Sequence, residues 1–266
     1  MPEGLEVEYY RRLADTAVGR RIGAVEAPDA WYLKGGVGPG AVVAALEGRR
    51  VTGTRRIGKL LLVDTDGPTL GLRFGMTGRL LVDDTAAIEH LEYSSRREDP
   101  TWDRFVLRFG TTRRPAGDLR MRDPRRLGAV ELEPATDRLG VDLFDVTPRA
   151  LAAVLAGSSA PLKARLLDQS RVAGLGNLLV DEILWRARLA PDRPAGSLDA
   201  AEQRRLQRTI RTTVRQLLER GGSHTGDLMV ARVRGGTCPR CGTPLARQTV
   251  GGRTTYWCRS CVGRAR

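Results

Sequence analysis

The chain has 266 residues, enough for two modest domains, and 41% of them are hydrophobic. Its net charge of +13 is the informative quantity, because a protein this basic usually meets a polyanion, with nucleic acid the first candidate. No stretch is long and apolar enough to span a membrane, and the N-terminus carries Glu3 and Glu6 and lacks the apolar region of a signal peptide. The expectation is a cytoplasmic, nucleoid-associated protein of bacterial type.

In chain order, Val7, Tyr10, Leu13, Ala14 and Ala17 recur at helical spacing from Glu6 to Val18, and Gly19 ends the run. Short β-type segments follow at Ile22–Val25, Lys59–Val63, Thr69–Phe74, Arg79–Val82, Phe105–Phe109 and Ala129–Leu132, with a short helix near Ala41–Leu46. Many short strands punctuated by Gly, Asp and Pro predict a β-sandwich or barrel. The charged stretch Asp84–Asp103 reads as a surface excursion. Apolar periodicity lapses between Glu133 and Asp145, which places a linker there.

The second half reads as helices at Thr147–Leu155, Leu162–Leu167, Leu178–Ala187 and Asp199–Glu219. Leu206, Ile210, Val214 and Leu217 form one apolar stripe on the last of these, most simply core packing. The class is therefore α+β: an N-terminal β-sandwich with flanking helices, then a helical bundle and a cysteine-bearing tail. The expected boundaries are 1–133, a linker over 134–147, 148–222 and 223–266.

Cys238-Pro-Arg-Cys241 and Cys258-Arg-Ser-Cys261 are two CxxC knuckles separated by sixteen residues. That spacing suits one tetrahedral Zn²⁺ held by four thiolates. Disulfides need an oxidising compartment, and a redox CxxC would not come as a matched pair. Such a closed site folds a small hairpin and does no chemistry. Arg253, in the turn Gly251-Gly252-Arg253, reads either as a contact to a DNA backbone or as a solvated arginine.

Two further sequences carry chemistry. Removal of Met1 would leave Pro2 as a secondary amine able to form a Schiff base with a sugar carbon, with the Glu3 carboxyl beside it to move protons. On the six N-terminal residues alone, an ordinary first-turn proline is the simpler reading of Pro2. Gly174-Leu175-Gly176-Asn177 precedes a helix, with Asn177 a candidate N-cap. It reads either as a phosphate clamp at a helix N-terminus or as a capped helix turn.

Taken together these pieces resemble the formamidopyrimidine-DNA glycosylase and endonuclease VIII family of base-excision repair enzymes. The resemblance rests on an ordered set: Pro2-Glu3 and Glu6, Arg55-Arg56-Ile57-Gly58-Lys59-Leu60-Leu61-Leu62, Gly75-Met76-Thr77-Gly78 and Asp123-Pro124-Arg125-Arg126-Leu127-Gly128. Leu166-Leu167-Asp168-Gln169, Gly174–Asn177, Asp181-Glu182 and the paired knuckles complete it. It implies a helix-two-turn-helix bundle over the second half and a zinc finger over the last forty-odd residues.

The resemblance implies a bifunctional DNA glycosylase and abasic-site lyase, acting as a monomer on double-stranded DNA with damaged bases or abasic sites. Pro2 would be the nucleophile, Glu3 the proton donor that opens the sugar, and Lys59 the lysine that contacts phosphate and assists elimination. Asn177 and Arg253 would clamp the phosphates beside the lesion. Lys163 matches another DNA-contacting basic position, with a solvated helix lysine as its rival. The target base must leave the stack, and Met76, Arg125 and Leu127 match the side chains that fill the vacated space. One structural Zn²⁺ on Cys238, Cys241, Cys258 and Cys261 is the implied metal.

The sequence departs from the family in three places. Leu127 stands where phenylalanine is frequent, and Pro100 and Trp102 occupy the place of a histidine pair. Fourteen residues separate Ser223 from Cys238, where members that excise 8-oxoguanine carry a longer loop over the flipped purine. That short interval leans toward the endonuclease VIII side or an unusual lesion. Two other readings compete: a catalytically silent relative that binds damaged DNA, and a zinc-ribbon RNA or ribosome-associated protein. Retention of Pro2, Glu3 and Lys59 argues against the first, and the N-terminus is unexplained by the second.

Overall fold

The computed structural model describes residues 2–88 and 97–262. The chain divides into two compact units, one formed by residues 1–2 and 6–137, the other by 3–5 and 138–266.

In the first unit, helix α1 (Gly4–Asp15) leads into β1 (Ile22–Glu26), and α2 (Pro39–Leu46) follows. Strands β2 (Val51–Ile57), β3 (Leu60–Thr65), β4 (Leu70–Arg73), β5 (Arg79–Val82) and β6 (Thr85–Ala86) come next. Then β7 (Asp103–Thr111), β8 (Arg114–Arg122) and β9 (Ala129–Leu132) complete two antiparallel sheets. Their orders are β1-β7-β8-β5-β6 and β2-β3-β4-β9. Leu61, Val63, Leu70 and Leu72 from the four-stranded sheet share one core with Leu80, Phe105, Leu107, Leu119 and Met121 from the five-stranded sheet. Period-two alternation on the strands faces these residues inward, and Val7, Tyr10 and Ala14 of α1 join them. This is the sandwich implied by the sequence.

Two full strands escape the sequence reading. In β2 the run Thr52–Arg56 contains no large apolar residue, and the strand is legible only from its apolar ends and from its pairing with β3. In β8 the first four residues are exposed and include Pro115 and Gly117, which propensity assigns to a turn. Both owe their conformation to partner strands. Of the charged stretch, residues 89–96 lie outside the described residues. Glu98 and Asp103 accept hydrogen bonds from the nearly buried Arg122, with Arg79 also paired to Glu98, so the C-terminal end of the stretch is tied to the sheet.

In the second unit, β10 (Val141–Asp142) pairs in parallel with β11 (Val172–Ala173), giving part of the expected linker a defined register. Helices α3 (Pro148–Leu155), α4 (Leu162–Leu167), α5 (Asn177–Ala187) and α6 (Ala200–Arg220) pack around Leu151, Leu166, Leu179, Ile183 and the predicted α6 stripe. Thr147 caps α3, and Asp199 with Glu202 forms a capping box on α6. A hairpin of β12 (Ala246–Val250) and β13 (Arg253–Trp257) follows. Gly251 and Gly252 take φ +58° and +71°, as a two-residue type I′ hairpin turn requires.

No helix among the described residues is long and apolar enough to cross a membrane. Ile210→Ala, which deletes a fully buried side chain of the α6 stripe, is expected to cost about 2–5 kcal/mol in urea unfolding.

Candidate active site

The N-terminal segment carries the first functional group. Glu3 is completely buried, and its carboxylate closes the N-terminus of α5: the Leu178 amide donates to Oε1 at 2.8 Å and the Leu179 amide to Oε2 at 3.0 Å. These are two of the orphan N–H groups that a helix start presents, and the helix dipole favours an anion there. Gly4 donates its amide to the Gly174 carbonyl at 2.9 Å, fixing the segment along the glycine turn.

This arrangement corrects one expectation. Asn177 is not the N-cap of α5. Gly176 is, and the helix N-terminus is occupied by an internal carboxylate rather than left for phosphate. Glycine is required at 176 by close approach, since a Cβ there would lie 2.2 Å from Glu3 Cδ. Asn177, as the first helical residue, instead donates from Nδ2 to the Thr254 carbonyl at 3.1 Å, and its buried Oδ1 has no hydrogen-bond partner.

Thr254 follows Arg253 on the cysteine hairpin, so Asn177 and Arg253 belong to one local arrangement. Arg253 is exposed at the tip, where Gly251 meets Ala164 of α4. The same Thr254 carbonyl accepts from Lys163 Nζ at 3.2 Å. Lys163 also donates to Asp181 Oδ1 at 2.6 Å and Thr255 Oγ1 at 2.8 Å, and is 0% exposed.

The reading of Lys163 as a DNA contact is therefore revised. An ammonium has three donors, and all three are engaged inside the fold. Burial pushes its pKa below the ordinary lysine range, with the Asp181 carboxylate pulling the other way. Asp181 also accepts from Arg232 Nε and Nη2 at 3.0 and 2.9 Å and from the Tyr256 amide at 3.2 Å. Neighbouring Glu182 accepts from the Asp227 and Leu228 amides and from Arg186. The Asp181-Glu182 pair was visible as a motif, but its work of fastening the following loops and the hairpin to α5 was not.

The stretch from Ser223 to Cys238 contains two 3₁₀ turns, Ser223–Thr225 and Met229–Ala231, and the residues between them are tied back through Glu182. Beyond it, Cys238, Cys258 and Cys261 are buried, and all four sulfurs lie within 4.8 Å of one another. Cys238–Cys261 is 3.8 Å, and Cys241 is 3.5 Å from both Cys258 and Cys261. A Zn²⁺ with Zn–S bonds of about 2.3 Å has tetrahedral S···S edges of about 3.8 Å, so the four thiols fit that ion. Trp185 donates from Nε1 to Cys238 Sγ at 3.3 Å, which seats the knuckle on α5. Four cysteine ligands leave no open position for catalysis.

In the first unit, Gly58 and Lys59 form the two-residue turn between β2 and β3, set by the Ile57↔Leu60 pair, with Lys59 partly exposed. Met76, Arg125 and Leu127 are brought together by the turn after β4 and the loop before β9. Arg125 Nη1 lies 4.0 Å from Met76 Sδ, and Leu127 is 48% exposed. Their common anchor is Asp123, fully buried. Its carboxylate accepts from Thr77 Oγ1 at 2.6 Å and from the amides of Arg125, Leu127 and Gly128 at 3.1, 2.9 and 2.8 Å. An aspartate followed by proline marks a turn in the sequence, but nothing there shows that it clasps a loop five residues long.

The fold and these groups define a class: a β-sandwich unit, and a helical unit in which the N-terminus of α5 holds the chain's third residue and the same helix bonds to the four-cysteine ribbon. Comparison with known proteins supplies the family. The formamidopyrimidine-DNA glycosylase N-terminal domain matches residues 1–130, the H2TH domain of the same enzymes residues 139–228, and the zinc finger found in FPG and IleRS residues 235–263. The chain belongs to the formamidopyrimidine-DNA glycosylase family.

The formamidopyrimidine-DNA glycosylase of Halalkalibacterium halodurans is 33% identical over 288 residues, covering 98% of this chain and 99% of that protein. The protein of that name from Roseiflexus is 33% identical over 287 residues with the same coverage. Among solved structures, a Lactococcus lactis FPG mutant in complex with Fapy-dG containing DNA aligns with TM-score 0.81 at 27% identity, covering 99% of this chain and all of that one. The wild-type Lactococcus lactis protein in complex with an oxidized pyrimidine containing DNA aligns equally well.

Two outcomes test this geometry. Gly176→Ala should displace the Glu3 carboxylate and abolish base excision while the far-ultraviolet circular dichroism is kept. Lys163→Met leaves part of a buried ion cluster uncompensated and should cost about 3–5 kcal/mol in denaturant unfolding; wild-type unfolding would refute the structural role assigned to this lysine.

Proposed function

We propose that the chain is a bifunctional DNA glycosylase and abasic-site lyase acting on double-stranded DNA with damaged bases or abasic sites. The observation that carries this reading is the fixed carboxylate of Glu3, one peptide bond from Pro2. It is held on two backbone amides in the unit that also carries Asn177 and Arg253.

With Met1 removed, the Pro2 nitrogen is a secondary amine. It attacks C1′ of the damaged nucleotide as the C1′–N bond to the base breaks, leaving a ring-closed aminal, and the proton of the nitrogen passes to the Glu3 carboxylate. Glu3 hands that proton to the ring oxygen O4′, the C1′–O4′ bond breaks, and the opened sugar is left as a cationic Schiff base on Pro2. Loss of a C2′ proton then expels the 3′ phosphate, and hydrolysis of the imine returns the free amine. Proton movement through Glu3 needs a carboxyl group that cannot swing away, and the two amide hydrogen bonds supply that restraint. Met1 itself lies outside the described residues.

The remaining roles are those the family resemblance implies. Lys59, at a partly exposed hairpin tip, contacts phosphate and assists elimination. Asn177 and Arg253 grip phosphates beside the lesion, linked through Thr254. Met76, Arg125 and Leu127 fill the gap left by the extruded base. Zn²⁺ holds the hairpin that presents Arg253 and supplies no chemistry of its own. The protein acts as a monomer in the cytoplasm, at the nucleoid.

As substrate class we favour ring-opened and oxidised bases. The relatives carry the formamidopyrimidine name, which weighs against the endonuclease VIII side to which the short interval before Cys238 leans. The tied-back 3₁₀ turns there favour lesions that need no long covering loop.

Borohydride added during reaction with an abasic-site duplex should trap one protein–DNA adduct whose mass shows Met1 absent. Glu3→Gln should lose excision of an intact damaged base by at least about 10²-fold. No adduct with the wild-type protein would end the lyase reading.

A further inference from the structure

The loop Asp29–Lys34 is built as a buttress for the loop that carries Arg125 and Leu127. Asp29 accepts both forks of Arg126, at 2.6 Å each. Tyr32 is fully buried, and its hydroxyl donates to Asp123 at 3.4 Å. The Lys34 amide donates to the Val130 carbonyl at 2.9 Å. Three anchors in six residues leave this segment little freedom.

Between them, Trp31 faces the other way. It is 66% exposed, in a segment where Asp29, Tyr32 and Leu33 are all buried. The ammonium of Lys34 lies 4.1 Å from the ring centroid and donates to the Trp31 carbonyl at 2.7 Å. A cation on one face of an indole fixes the ring and leaves the other face open. A large apolar ring kept in water on a rigid mount, with positive charge attached, is unfavourable for the free protein and suits a polyanion with flat or apolar faces. Aromatic rings of this kind stack on bases and sugars without regard to sequence.

We infer that Trp31 and Lys34 form an additional DNA contact beside the Met76–Arg125–Leu127 wedge. Trp31 stacks on a base or sugar of the duplex flanking the lesion, and Lys34 pairs with an adjacent phosphate. The inference rests on the wedge role given to those three residues. It adds a contact that neither the ordered motifs nor the catalytic groups contain. The ring touches no reacting atom, so its contribution is to binding.

The test uses full-length protein and a duplex bearing a tetrahydrofuran abasic-site analogue. Trp31→Ala should weaken binding about tenfold, and Trp31→Phe, which keeps a stacking face, within about threefold. Lys34→Met should reduce the slope of log affinity against log salt by about one. Intrinsic tryptophan emission of the wild-type protein should fall on titration with unlabelled duplex, and Trp31→Phe should remove most of that fall. Trp31 is exposed, so melting temperatures should stay at the wild-type value. Should Trp31→Ala lower the melting temperature, the emission of Trp31→Phe decides: an unchanged quench overturns the inference. Wild-type affinity in Trp31→Ala, with the wild-type protein selecting the abasic duplex, overturns it alone. If the wild-type protein shows no preference for that duplex, the wedge reading fails and this inference with it.

Discussion

The Glu3 carboxylate sits on the amides of Leu178 and Leu179, and much of the second unit is arranged to make that possible. A helix N-terminus offers unsatisfied donors and a partial positive charge. Most helices close theirs with a neighbouring side chain; α5 closes its own with a residue 175 positions earlier in the chain. The consequence is local and chemical. The third residue of the protein, ordinarily part of a fraying end, becomes fully buried. Whatever nitrogen precedes it is held to within a peptide bond of a fixed carboxyl group.

Holding α5 in place falls to buried charge. Lys163, Asp181 and Arg232 form a cluster in which every lysine donor is used, and Asp181 bonds both basic residues as well as the Tyr256 amide. Buried ions are costly to desolvate and are tolerated when hydrogen bonds satisfy them. What this arrangement secures is register: α4, α5 and the hairpin meet at Thr254, whose carbonyl serves both Lys163 and Asn177. The four thiolates perform the same task at the hairpin's base, where a small ribbon lacks the apolar surface to fold by itself. Arg253 is exposed at the tip of that hairpin.

The first unit solves a similar problem with one carboxylate. Asp123 gathers the amides of Arg125, Leu127 and Gly128 and the hydroxyl of Thr77, so two loops from different parts of the sandwich are joined through one side chain. A leucine at 127 keeps apolar volume at the exposed position but not a stacking face. The loop Asp29–Lys34 that braces its loop through Arg126 and Asp123, with Trp31 outward and Tyr32 inward, presents an aromatic face.

The sequence by itself determined the class, the order of the parts and the metal-ligating cysteines, and it named the candidate catalytic residues. Apolar periodicity marked α6 and the strands with alternating faces, the spacing of the knuckles marked the metal, and the ordered motifs singled out Pro2, Glu3, Lys59, Met76, Arg125 and Leu127 as candidates. These are patterns in which neighbouring residues inform one another. Tertiary structure alone decided the features that depend on distant partners. Strands β2 and β8 exist because β3 and β7 hold them, against their own composition. Lys163 looks like any helix lysine until Asp181, Thr254 and Thr255 surround it. Asn177 has the composition of an N-cap, yet Glu3 takes that end of the helix and leaves Asn177 to the hairpin. A carboxylate 175 residues away competes for the same donors, and no local pattern records that competition.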